Sequence, residues 1–285
     1  MDFHLRIKKE GTAIQPHQMI HMEMTEQKIQ TSALSIHLPL KTPGKISNPG
    51  SGIQDHRFVF CMDCHAGGIS PIFLIFRTAF RPGSANAPDS VSYTHLVHIY
   101  GERFGEKGLK ECLCQMFGSP YWPLPLDQFP ALVRFHEIQA GDVFLLEDQI
   151  RVQTLRGVHP GGSILYRLEE VTQGSKPASV VYGLDCELTD AMFPKLREFA
   201  RACGLLICDA CYTEEELMLR QGWGHGSIER CRKLRQASGA QQALFMHYER
   251  SYQDAFLREQ EKMSLAQDPA CLFAREGMAL KVHGQ

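Results

Sequence analysis

Apolar residues along this chain change their spacing near residue 100, and the change is the first guide to its organisation. Before it, Arg57-Phe-Val-Phe-Cys-Met and Pro71-Ile-Phe-Leu-Ile-Phe are rich in β-branched and aromatic residues and predict strands. Breaker clusters at Thr42-Pro-Gly-Lys, Asn48-Pro-Gly-Ser-Gly and Arg81-Pro-Gly-Ser separate short apolar runs without sustained periodicity. Residues 108–117 then repeat apolar positions every three or four, which predicts a helix. The proline-rich stretch 119–130 predicts a loop packed over a core edge. Segments 133–138, 142–146, 150–155, 163–169 and 179–184 follow as strands, in an order that predicts a largely antiparallel sheet. From there the pattern alternates, with helices expected over 188–203 and 227–238 and strands at 204–209 and 242–247. A charged amphipathic helix over 254–266 and a loose tail complete the reading.

Several apolar runs end in residues able to bind a metal or move a proton. They are Thr94-His95-Leu-Val-His98, Val158-His159-Pro-Gly-Gly, Val181-Tyr-Gly-Leu-Asp185-Cys-Glu187, Gly222-Trp-Gly-His225-Gly-Ser227 and Phe245-Met-His247-Tyr. Ser227 is placed to cap the helix that follows it. Taken singly, each histidine reads as a hydrogen-bonded structural residue. Taken together, imidazoles and a carboxylate at successive strand ends form the nitrogen and oxygen donor set that suits zinc, manganese or iron, with carboxylate able to bridge two ions.

These segments, in this order, resemble the metallo-β-lactamase fold hydrolases, in the branch of ribonuclease Z and bacterial phosphodiesterases. The resemblance rests on His159-Pro-Gly-Gly-Ser-Ile-Leu-Tyr-Arg-Leu-Glu, Val180-Val-Tyr-Gly-Leu-Asp-Cys-Glu, Leu205-Leu-Ile-Cys-Asp-Ala-Cys-Tyr-Thr-Glu-Glu-Glu, Gly222-Trp-Gly-His-Gly-Ser and Leu244-Phe-Met-His-Tyr. It implies an α/β fold, an αββα sandwich, with the hydrolase core at 94–262. Residues 1–93 would be a divergent or incomplete N-terminal part of that fold, and 263–285 a C-terminal tail.

The resemblance also assigns roles. His159 would bind the first metal, Asp185 would bridge and His247 would bind the second, with His95 and His98 as further metal ligands. His225 would donate a proton or contact the phosphate, and Asp209 would orient it. The implied cofactor is Zn2+, one or two ions, with Mn2+ or Fe as alternatives. The implied substrate is a phosphodiester, whether RNA, an oligonucleotide or a cyclic nucleotide, and a homodimer is compatible with it.

One motif departs from the family pattern. Relatives carry Thr-His-x-His-x-Asp-His followed by Ile-x-Gly, where this chain has Thr94-His95-Leu96-Val97-His98-Ile99-Tyr100-Gly101. Two residues are missing, and Val97 stands where the aspartate that holds the nucleophile belongs. A non-catalytic or weakened binding protein is therefore the alternative expectation.

Composition narrows the classes. Thirty Lys and Arg against 32 Asp and Glu leave a net charge of −2, so the chain as a whole is not drawn to nucleic acid or anionic membranes. No apolar run approaches the about 20 residues of a membrane span, and the charged start predicts a cytoplasmic protein. The ten cysteines accordingly read as reduced, and the pairs Cys112/Cys114 and Cys208/Cys211 as buried thiols. Cys61-Met-Asp-Cys64-His65 has the spacing of a covalent haem site, which normally requires export.

Overall fold

The computed structural model describes residues 3–7, 34–37, 53–61, 72–79, 94–128, 131–146, 148–171, 177–276 and 278–284, with side chains from 97 onward except that of 131. Cys64 and His65 of the haem-like motif lie outside the described residues, as does the side chain of Cys61.

Two seven-stranded sheets form the frame. The first contains β1 (Phe3–Ile7), β2 (Leu34–His37), β3 (Ile53–Cys61), β4 (Ile72–Ala79), β5 (Thr94–Gly101), β6 (Ala131–Glu137) and β14 (Ala279–Val282). The second contains β7 (Val143–Leu146), β8 (Ile150–Arg156), β9 (Ile164–Glu170), β10 (Ser179–Gly183), β11 (Leu205–Asp209), β12 (Gln242–Met246) and β13 (Cys271–Phe273).

Alternation along the second sheet explains its burial on both faces. Tyr182, Ile207, Leu244 and Met246 enter a cluster shared with Leu280 and Val282 of β14 and with Tyr100 of β5, so this layer lies between the sheets. Val181, Leu206, Ala243 and Phe245 point the other way, onto Leu196 of α2 (Phe193–Phe199) and Cys231 and Leu234 of α4 (Ile228–Ser238). Strands covered on both sides read as continuous apolar runs, as β10, β11 and β12 do. On the first sheet, Val97, Ile99, Val133 and Phe135 pack against Leu109 and Leu113 of α1 (Leu109–Met116). Helix, sheet, sheet and helix thus succeed one another, the α/β sandwich expected. Among the described residues no helix is long and apolar enough to cross a membrane.

Several expectations need correction. Segment 133–138 does not continue the antiparallel series: β6 runs parallel to β5 in the first sheet, and the chain changes sheets before β7. The helix expected over 188–203 shortens to α2, because Pro194 has no N–H to donate and occupies the first helical turn. The expected loose tail carries β13 and β14, in which Cys271, Phe273 and Val282 are buried. Cys208 and Cys211 are buried free thiols, whereas Cys112 is half-buried and Cys114 exposed on α1.

Candidate metal centre

Strand direction gathers the candidate residues at one edge. β10, β11 and β12 are mutually parallel, and β8 and β10 are each antiparallel to β9, so all four point their carboxyl ends the same way. His159 follows β8, Asp185 follows β10, Asp209 ends β11 and His247 follows β12. His225 joins them from the loop before α4, whose first turn is capped by the Ser227 side chain accepting from the Arg230 N–H at 3.2 Å. Asp185 and His247 have φ of 50° and 64°, left-handed backbone that turns each side chain out of its strand line.

Asp185, Asp209, His225 and His247 place ligand-capable atoms within 4.8 Å of one another. Asp209, 2% exposed, is the hub. Its carboxylate accepts from His225 Nδ1 at 2.9 Å, His247 Nδ1 at 3.2 Å, Cys186 N–H at 3.3 Å and Gly226 N–H at 3.4 Å. Both imidazoles and Cys186 share Oδ2 and Gly226 reaches Oδ1, so both oxygens are engaged. Asp185 Oδ1 lies 3.5 Å from His247 Nδ1. His159 borders the group, its ring 5.4 Å from that of His225.

Charge follows from this packing. Burial alone would raise the Asp209 pKa, but the charge of His247 and the hydrogen bonds from both imidazoles outweigh it and hold the carboxyl well below the usual range. Burial alone would lower His247, yet Asp209 and then Asp185 raise it to about 9. Burial lowers His159, aided by His225 and His247 and opposed by the two aspartates, so its imidazole is neutral near pH 7.

A second buried carboxylate sets the loop that carries His225. Glu187 accepts from the N–H of Gly222 at 2.8 Å and of Gly224 at 3.2 Å. A Cβ at Gly224 would come within 2.4 Å of the His159 ring, and one at Gly226 within 2.3 Å of the Asp209 carbonyl oxygen. Glycine at both positions lets the loop close on β11 and on the His159 turn. Sequence reasoning singled out Glu187 without this role; its signal is a carboxylate in an otherwise apolar run after β10.

Among the described side chains, none from the first sheet joins the cluster. His98 lies within β5, and its Nδ1 is 2.8 Å from Nε2 of His136 on β6, a residue the sequence reading did not single out. Val97, 5% exposed, faces α1. The side chain of His95 lies outside the described residues.

A cavity of about 290 Å³ opens beside the His159 turn, lined by Arg103, Phe104, Arg156, Gly161 and Gly162 among others. Arg156 pairs with Glu102, and Arg103 with Glu137.

No family model matches the chain. In sequence it is similar to ribonuclease Z of Bacillus subtilis (strain 168), 26% identical over 178 residues, which cover 61% of this chain and 49% of that protein. The chain therefore spans about half the length of the curated relative it matches. Among solved structures it is similar to the metallo-β-lactamase fold protein YhfI from Bacillus subtilis, with a TM-score of 0.46, 17% identity, and coverage of 65% of this chain and 64% of that one. The short form of human tRNase Z gives a TM-score of 0.45 at 14% identity over 65% of this chain and 68% of that one.

Proposed function

We propose that this chain, ribonuclease Z-like in sequence and built on the two-sheet metallo-β-lactamase fold, is a metal-dependent hydrolase of phosphodiesters such as RNA, an oligonucleotide or a cyclic nucleotide. The donor set fits a divalent cation of the zinc, manganese or iron class, since oxygen and imidazole donors converge from separate strand ends. With both oxygens engaged by protein donors, Asp209 acts as the positioning carboxylate. It holds Nδ1–H of both imidazoles, which leaves Nε2 of each as the working atom. Asp185, His247 and the neutral His159 are the residues that would hold the ion. A bound ion supplies Lewis-acid polarisation and an acidified water.

His225 is the proton donor. Its ring is fixed by Asp209 on one side and by the glycine-flanked loop on the other, so Nε2 can deliver a proton to the departing oxygen. The buried Asp209 carboxylate, clamping two imidazoles at one strand edge, carries this reading.

Metal content by elemental analysis, with hydrolysis of bis(p-nitrophenyl) phosphate, tests it. The expected result is bound metal with turnover, and a folded protein lacking both rejects the proposal. The second reading, a non-catalytic binding protein, is favoured by β5, where Val97 faces the helix layer and His98 is engaged with His136. Metal-loaded protein that binds an oligonucleotide without cleaving it would select that reading.

A further inference from the structure

The loop that delivers His225 also carries an exposed indole. Trp223 is 60% exposed and makes no ring contact among the described residues, whereas Trp122 packs edge-on against Phe117 at 6.0 Å. Its backbone is held on both sides, since the N–H groups of Gly222 and Gly224 both donate to buried Glu187. Trp223 N–H itself bonds the Arg220 carbonyl at 3.2 Å. A fixed backbone under a solvent-facing indole leaves the ring only its two side-chain torsions to settle when a ligand arrives. Met218 and Leu219 of α3 (Glu214–Leu219), 58% and 85% exposed, add apolar surface. Trp223 and His225 are two residues apart, a chain span of at most about 7 Å.

We infer that Trp223 is the floor of a nucleobase subsite, on which the base flanking the scissile phosphate stacks. Every base has an apolar face, and stacking on an aromatic ring serves substrates of varied sequence. The inference rests on the proposed phosphodiesterase reading and adds to it that the substrate is held through a base, at Trp223.

The chain has two tryptophans, so Trp122→Phe leaves Trp223 as the sole indole reporter. Thymidylyl-thymidine is expected to quench its fluorescence saturably, and ribose 5-phosphate to leave it unchanged. Equal responses to both, no response to the dinucleotide, or a change that follows protein concentration without ligand each overturn the inference, the last by marking a self-association surface. In turnover, Trp223→Ala is expected to raise KM for the dinucleotide about 5- to 150-fold with kcat within about twofold, and Trp223→Phe to recover most of the loss. An unchanged KM removes the base subsite and leaves the hydrolase reading standing. Saturable quenching in a protein that cleaves no phosphodiester removes the hydrolase reading and keeps the subsite.

Discussion

Two pairs of imidazoles occupy opposite settings in this molecule. His225 and His247 lie beyond strand ends and converge on one buried carboxylate. His98 and His136 lie within β5 and β6 and bond to each other, in a run of stacked rings that continues through Tyr100 to Phe144, with centroids of His136 and Tyr100 4.3 Å apart and of Tyr100 and Phe144 5.2 Å apart. A histidine inside a strand can face only one side of its sheet, and its neighbours are fixed by register. At the carboxyl edge of parallel strands, segments far apart in sequence meet, and donors from each can surround one point. Setting, more than residue type, separates the site from the packing.

The comparison breaks most visibly at Val97. Val97→Asp, the change that restores the aspartate of the related motif, buries an unpaired carboxylate against α1. It is expected to cost more than about 3 kcal/mol without raising activity, read by thermal unfolding beside the phosphodiester assay. A stable and more active variant would move β5 into the site.

The pH dependence of the metal-free protein sharpens the other side. His247 is raised to about 9 in the fold, so its pairing with Asp209 stabilises fully below the unfolded histidine pKa of about 6.5 and is lost as pH rises through about 9. The loss should reach at most about 3 kcal/mol in denaturant titrations. In acid, Asp209 contributes stability present above the unfolded carboxyl pKa of about 4, which falls away as pH drops below it. Stability unchanged between pH 6.5 and 9 would contradict the His247 and Asp209 pairing.

Asp209→Asn keeps the shape and removes the negative charge that both Nδ1–H groups face. Metal affinity should fall about 10- to 100-fold by competition with a chelating dye, since such outer-shell partners are worth that much. The smallest effect is expected from His98→Ala. Losing the bond to His136 costs about 1 kcal/mol and should leave metal stoichiometry unchanged. Loss of metal in that variant would erase the contrast between the two pairs.

The second sheet was readable because β10, β11 and β12 are short apolar runs that stop abruptly at Asp185, Asp209 and His247. Family likeness supplied His98, and the pleat directed it elsewhere: with Val97 and Ile99 on α1, His98 is turned to the opposite face. The full set of donors to Asp209 was invisible, since two of them are backbone N–H groups of Cys186 and Gly226. The strands after 270 were missed because their partners, β12 and β1, lie far away in sequence.

The left-handed backbone at Asp185 and His247 reaches beyond chemistry into sequence drift. Most L-residues placed there carry a conformational penalty of about 1–2 kcal/mol, which glycine avoids and asparagine or aspartate lessen. A descendant that no longer cleaved anything would gain stability from glycine at 185, whereas glycine at 247 would also forfeit the pairing with Asp209. Glycine at 185 in kindred sequences would thus be the fossil of a retired centre, legible without an assay.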